Sequence, residues 1–156
     1  MAATVDDSTV LPSDEWLCLA LYTASRAMTA RYRPALARLG LTYPQYLVMV
    51  ALWEDGPSTV RQLGARLRLD SSTLSPLLKR LDAMGLVTRS RDSLDERTVN
   101  VGLTPHGHAL RRQAAEVPAE ICAATGMPPV ELAALVTQLR ELTAHLGHST
   151  TSAVHD

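Results

Sequence analysis

Apolar residues recur at helical spacing along most of this chain, and one region near its middle switches to strict alternation. Ser13 is suited to an N-cap, and Asp14 and Glu15 follow it in the first turn, where acidic side chains are favoured. From there a helical pattern runs to Leu39 and stops at Gly40, with Pro34 placed to bend or interrupt it. A second helix is predicted from Tyr43 to Glu54, capped by Thr42, with Pro44 in its first turn and Asp55-Gly56-Pro57 closing it. Val60, Leu63 and Leu67 then mark a short helix, and a turn near Leu69 and Asp70 leads into another. In that next helix Leu74, Leu77, Leu78 and Leu81 follow the i, i+3, i+4, i+7 template, which buries one face. Ser72, Thr73, Ser75, Pro76, Lys79 and Arg80 are left elsewhere on it. Two helices of this size joined by a tight turn fit a helix-turn-helix, although any small helical hairpin has the same periodicity.

The alternating region follows directly. A strand-like Leu86 to Arg91 and a polar turn lead to a stretch in which Val99, Val101 and Leu103 alternate with Thr98, Asn100 and Gly102. This predicts a two-stranded ribbon whose tip carries Arg89, Arg91 and Arg97. A helix pair followed by a basic hairpin is a winged helix-turn-helix arrangement, much more specific than either part alone. After Thr104, a cap, and Pro105, a helix opener, two further helices are expected, roughly His106 to Ala124 and Pro129 to Leu146. The last carries Leu132, Leu135, Val136, Leu139, Leu142 and Leu146 on one stripe, more apolar surface than packing on so small a core requires.

The fold class is therefore mostly α with a small β-hairpin wing, a winged helix-turn-helix flanked by N- and C-terminal dimerisation helices. Residues 1–12 and 147–156 are expected to be disordered. Residues 13–146 are expected to form one domain, with the winged core at about 43–104 and the dimerisation helices at about 13–39 and 106–146. A twofold dimer would present two recognition helices to a pseudo-palindromic site in double-stranded DNA.

Composition sharpens this picture at two points. With 46% hydrophobic and 20% charged residues the chain is globular in type, and its net charge is only −1. Charge is uneven, however: from Pro57 to Thr104 eight basic residues face five acidic ones, whereas the rest holds seven basic against eleven acidic. A basic segment in an otherwise acidic protein fits nucleic-acid binding. No run of eighteen apolar residues occurs and the N-terminal stretch is acidic, so neither a membrane span nor a secretory signal is expected, and the expected location is cytoplasmic. The two cysteines, Cys18 and Cys122, are too few and too far apart for a disulfide framework, and without clustered partners they imply no metal site. They are either buried small hydrophobes or reactive thiols. No cofactor is expected.

The stretch SSTLSPLLKRLDAMGLVTRSRDSLDERTVNVGLTPHG resembles the MarR family of winged helix repressors. The hallmark is an Asp and, two positions on, an Arg at the wing tip, before a strand ending in Leu and Thr; here these are Asp95, Arg97, Leu103 and Thr104. More narrowly, Leu17 to about Gly107 is similar to the organic hydroperoxide resistance regulator branch. That resemblance implies that Cys18 reacts with peroxide, that Tyr32 and Tyr43 of the partner subunit hydrogen-bond to it, and that Cys122 is a resolving cysteine of the other subunit. An intersubunit disulfide from Cys18 to Cys122 is the implied product. Phenol donors would favour the thiolate, whereas Asp14 and Glu15 act the other way. Apolar neighbours, Trp16, Leu17, Leu19 and Leu21, suit an organic peroxide, since each buried methylene gains roughly 0.8 kcal/mol.

In this reading, Ser72, Thr73, Ser75 and Pro76 are candidates for base-edge contact. Lys79 and Arg80 meet phosphates, Arg89, Arg91 and Arg97 serve the wing, and Asp95 fixes its shape by pairing with an arginine. Oxidation changes packing between dimer helices and releases the operator, and the resemblance implies a controlled gene for a peroxide-reducing enzyme. Three alternatives stay open at this point. They are a repressor released by a small aromatic ligand, a thiol peroxidase using both cysteines, and a winged helix that binds only protein. Beside Cys18 there is no threonine and arginine constellation for the peroxidase, and the chain is not expected to be an enzyme.

Overall fold

The computed structural model describes residues 16–91, 94, 95 and 97–149. Among these described residues, seven helices and three strands follow in the order α1 (Leu17–Leu39), α2 (Tyr43–Asp55), β1 (Ser58–Thr59), α3 (Val60–Leu67), α4 (Ser71–Ala83), β2 (Val87–Arg91), β3 (Val99–Leu103), α5 (Pro105–Ala114), α6 (Val117–Ala124) and α7 (Pro129–Ser149). They fall into two compact units, one up to Val117 and one from Pro118 onward. The predicted class, mostly helical with a small β wing, is the class observed.

The first unit is organised around α2. Thr42 and Gln45 form a capping box, the backbone N–H of Thr42 donating to Gln45 Oε1 at 2.9 Å while Thr42 Oγ1 accepts from the Gln45 N–H, and Pro44 occupies the first turn as expected. Tyr46, Val48, Met49, Ala51, Leu52 and Trp53 are all buried, so this helix is enclosed on several sides rather than lying on a surface. It touches α1, α3, α4, α5 and β3. Leu36 of α1, Leu63 of α3, Leu74, Leu78 and Leu81 of α4, and Val87 and Val101 of the wing complete the core.

α1 continues through Pro34 without a break. The proline removes one backbone bond, but Ala35 and Leu36 just beyond it are buried, and that packing holds the turn in helical form. The expected cap at Ser13 lies outside the described residues; the helix opens at Leu17, and the N-cap residue Trp16 does not cap it through its side chain.

α3 and α4 form the expected helix-turn-helix. Thr59 and Gln62 cap α3 as a second capping box, and Asp70 caps α4 by accepting from the Thr73 N–H at 2.7 Å. Gly64 lets the turn close: a β-carbon there would lie 2.8 Å from the Leu69 carbonyl oxygen, whose own N–H donates to the Gly64 carbonyl.

The wing departs from expectation in one respect. β2 and β3 pair antiparallel with Val87 opposite Leu103 and Arg91 opposite Val99, but the ribbon has a third strand. β1 pairs with β3, Ser58 opposite Val101 and Thr59 opposite Asn100, in the order β1-β3-β2. Two residues are too short for any alternation to be visible in sequence; pairing with β3 alone makes them a strand.

The C-terminal region also corrects the pattern. The single helix expected from His106 to Ala124 is two helices, α5 and α6, with a break at Ala115 and Glu116. Pro118 cannot donate to the carbonyl of Ala114, four residues earlier, so the ladder ends there. α7 runs past Leu146 to Ser149, and residues 147–149 are helical where disorder was expected, because one interior glycine weakens a helix by only about 1 kcal/mol against alanine. The remaining stretches expected to be disordered, 1–12 and 150–156, lie outside the described residues.

Gly64→Ala should destabilise the protein by about 1–3 kcal/mol, because the new methyl must push the backbone of the turn outward. Denaturant unfolding monitored by circular dichroism checks this, and a wild-type midpoint would show the approach is less tight.

Candidate nucleic-acid interface and thiol site

On α4, the expected recognition helix, Ser72, Thr73, Ser75, Pro76, Lys79 and Arg80 are all exposed, while Leu74, Leu78 and Leu81 are buried and Leu77, expected with them, is only half-buried. The Ser72 hydroxyl donates to Asp70 Oδ1 at 2.5 Å. That bond and the Thr73 N–H hold the Asp70 carboxyl below its ordinary range.

Between α3, α4 and the wing lies a cleft of about 780 Å³. It brings together Ser75, Arg89 and Arg97 from the predicted set. It also contains Arg61 and Ser71, which sequence reasoning did not single out. Val60, Leu78 and Val99 line it as well, so three arginines share one concave surface with apolar side chains. Arg61 had a signal only in the regional charge count; its place beside the wing depends on the β1 pairing that positions α3.

The arginines are not equivalent. Arg66 is committed to Glu54 and Asp55, its Nη1 lying 2.6 Å from an Asp55 oxygen, and so ties α3 to the end of α2. Arg89 pairs with Asp82 at 3.0 Å, which anchors its guanidinium to α4. Asp95 does not act through an arginine side chain as expected. It accepts from the Arg97 backbone N–H at 3.0 Å and the Thr98 hydroxyl at 3.1 Å, a local turn that fixes the backbone from which Arg97 projects. Arg91 is exposed at the end of β2.

The sensor candidates divide into three places. Cys18 is the second residue of α1 and exposed, in a turn whose N–H groups have no intrahelical acceptors. Trp16, Leu17, Leu19 and Tyr22 around it are exposed too, Tyr22 by 59%. Tyr32 and Tyr43 meet each other, their ring centroids 4.8 Å apart, and Tyr46 lies 5.7 Å from Tyr32. Fourteen residues of uninterrupted helix separate Cys18 from Tyr32, about 21 Å along the axis. Within one chain, therefore, the tyrosine pair and the thiol do not meet. In the second unit Cys122 is exposed, on a groove of about 790 Å³ lined also by Met127, Leu132, Val136 and Arg140. Neither cysteine is a buried filler within this chain. Among the described residues no group of three or more His, Cys, Asp or Glu could hold a metal ion, and no single helix is long and apolar enough to cross a membrane.

Residues 31–112 match the family model described as transcriptional regulator SarA/Rot. The chain is also 48% identical over 105 residues to the organic hydroperoxide resistance transcriptional regulator of Bacillus subtilis, spanning 67% of this chain and 71% of that one. The chain belongs to the MarR-like, SarA/Rot group of winged helix transcriptional regulators. Its function is that of a transcriptional regulator, and its family and homologues are regulators rather than enzymes.

Solved structures extend the likeness beyond sequence. The regulator is 36% identical to reduced AbfR bound to DNA, covering 83% of this chain and 91% of that one with a TM-score of 0.69. Overoxidized AbfR bound to DNA matches equally well, and disulfide-formed AbfR gives a TM-score of 0.57. The protein in that series comes from Staphylococcus epidermidis. BpsR of Bordetella bronchiseptica, whose DNA binding is regulated by 6-hydroxynicotinic acid, is 29% identical with a TM-score of 0.75, covering 81% of this regulator and 98% of that chain.

The tyrosine cluster has a measurable signature. Burial pushes the phenol of Tyr43 above its ordinary value, and that of Tyr46 is raised by burial, then by Tyr43 and Glu54. Both therefore stay protonated, and able to donate, throughout the neutral range. A phenol whose folded pKa is raised contributes stability that is complete below the unfolded value near 10 and is lost as pH rises through the folded value. An ultraviolet titration should show the phenols of Tyr43 and Tyr46 ionising later than free tyrosine, with stability falling above about pH 10. Four phenols all titrating at the free value would contradict the packing.

Proposed function

We propose that the protein is a cytoplasmic, homodimeric repressor that senses organic hydroperoxides through Cys18 and releases its operator when oxidised. The observation that carries this reading is the division of the thiol site. Tyr32 and Tyr43 form one contact pair, while Cys18, on the same uninterrupted helix as Tyr32, stands about 21 Å from it along the axis, so a sulfur in that pair must come from a second copy. The exposed apolar residues of α1, and separately those of α7, with Val130 81% and Leu146 61% exposed, support burial between subunits. The names of the relatives agree: one is an organic hydroperoxide resistance transcriptional regulator, and AbfR exists in reduced, disulfide and overoxidized forms.

The chemistry runs in two steps. The Cys18 thiolate attacks the terminal oxygen of the hydroperoxide, the O–O bond breaks, and the leaving alkoxide takes a proton to depart as an alcohol. Cys18 is then a sulfenic acid, two electrons more oxidised. The thiolate of Cys122 from the other subunit attacks that sulfur, forming the disulfide and releasing hydroxide, which becomes water. Tyr32 and Tyr43 of the second subunit hold the reduced sulfur by hydrogen bonds and lose that contact on oxidation. The two α4 helices then change spacing on the DNA.

On the DNA, Ser72, Thr73, Ser75 and Pro76 face the major groove, and Lys79 and Arg80 meet phosphates. Arg89, Arg91 and Arg97 follow the backbone or adjacent groove, with Arg61 joining them in the cleft. In domain terms, the winged core carries DNA recognition and the flanking helices carry dimerisation. A second reading, release by an aromatic acid, is favoured by BpsR and by the arginine-rimmed cleft. An aromatic acid that displaces DNA from fully reduced protein would support it.

Two outcomes are expected. Arg97→Ala should weaken binding across sequences and lower the slope of log K against log salt by about 1, with the dimer intact; an unchanged slope removes the wing contact. Cys18→Ser should bind DNA as the reduced wild type does and lose all response to one equivalent of cumene hydroperoxide in a gel-shift titration. Non-reducing electrophoresis should show a reductant-sensitive dimer for the wild type alone. A normal response from Cys18→Ser would sink the mechanism.

A further inference from the structure

An aromatic line leads from the tyrosine pair to the base of the wing. Tyr32 contacts both Tyr43 and Tyr46, and Tyr46 lies 6.3 Å from Trp53 in an edge-on arrangement. At the far end the Trp53 indole N–H donates to the Gly107 carbonyl at 2.9 Å, a buried bond that joins α2 to the first turn of α5. Gly107 has no slack: a β-carbon there would lie 2.0 Å from the Leu86 carbonyl oxygen and 3.2 Å from Leu103 Cδ2. That same Leu86 oxygen accepts from the Thr104 N–H at 3.1 Å, and the Thr104 hydroxyl donates to the Gly85 carbonyl at 2.6 Å. Leu86 leads into β2 and Thr104 follows β3, so both long wing strands are rooted where Trp53 is tied.

We propose that Trp53 is a positioning residue that couples the state of the Tyr32 and Tyr43 pair to the seat of the wing. The inference rests on the reading that those tyrosines grip the other subunit's Cys18. When the sulfur leaves, the rings repack. Tyr46 and Trp53 are buried in a close-packed interior, which passes a displacement on rather than absorbing it. The indole bond then carries the shift to Gly107, and the close approach at Leu86 moves the wing root. A tryptophan kept only to fill the core would need its ring there, and its N–H would need no more than some acceptor.

The test uses the full-length dimer, a duplex bound tightly by reduced protein, and cumene hydroperoxide as oxidant. Trp53→Phe keeps an aromatic ring and removes the donor. It should lose its Cys18 thiol at the wild-type rate and, reduced, bind DNA within about threefold of wild type, while its oxidation-induced loss of affinity is at least about tenfold smaller. Equal release by Trp53→Phe and wild type overturns the coupling and leaves the sensor mechanism standing. Wild-type protein that loses the Cys18 thiol and stays on DNA overturns both. A second measurement needs no change at Trp53. The chain has two tryptophans, so Trp16→Phe assigns the two indole N–H resonances, and that of Trp53 should move on oxidation of the wild type. An unmoved resonance overturns the proposal whatever becomes of Trp53→Phe.

Discussion

The enclosure of α2 is the constraint on which the rest of the first unit depends. A helix that buries Tyr46, Val48, Met49, Ala51, Leu52 and Trp53 has no solvent face to spare, so its neighbours must meet it from several directions. α1, α3, α4, α5 and β3 all do. The recognition helix and the wing are thereby set against the same rod that carries Tyr43 and Tyr46, and α1 brings Tyr32 to its start. On the proposed reading, thiol chemistry and DNA contact influence one another through a single packed element, without a long mobile connection between them.

Charge is arranged with the same economy. The basic excess of the central region overstates what DNA can meet, because Arg66 is held by Glu54 and Asp55 and Arg89 is anchored by Asp82. The first pair orients α3 on α2, and the second ties β2 to α4. What remains toward the cleft is Arg61, Arg97 and the outer end of Arg89, on elements whose relative placement those pairs help to maintain. Exposed pairs of this kind contribute little stability individually, so their value lies more in holding direction than in binding energy.

Much of the fold was legible along the chain because its signals are local. Thr42, Asp70 and Thr104 act as caps within three residues of the N–H groups they serve, and Leu74, Leu78 and Leu81 repeat at the period of the helix they bury. The break between α5 and α6 is also local, written in Pro118, although the apolar pattern runs on across it. β1 was not legible at all: two residues carry no period, and only Val101 and Asn100 opposite them make a strand.

For the site, sequence alone determined which residues could do chemistry: two thiols, a tyrosine in the second half of α1 and another opening α2, and a row of small polar and basic residues off the leucine face of α4. Those are properties of residue type and spacing, and the resemblance to MarR regulators rests on the same quantities. Tertiary structure decided who meets whom. It brought Tyr32 against Tyr43, withheld Cys18 from both, gave the Asp95 carboxylate to the backbone N–H of Arg97 and the Thr98 hydroxyl instead of a guanidinium, added Arg61 to the cleft, and tied Trp53 to Gly107. The reason is physical: caps and amphipathic faces are satisfied within a turn or two of chain. Contacts between residues tens of positions apart exist only once the core has closed and fixed their distance.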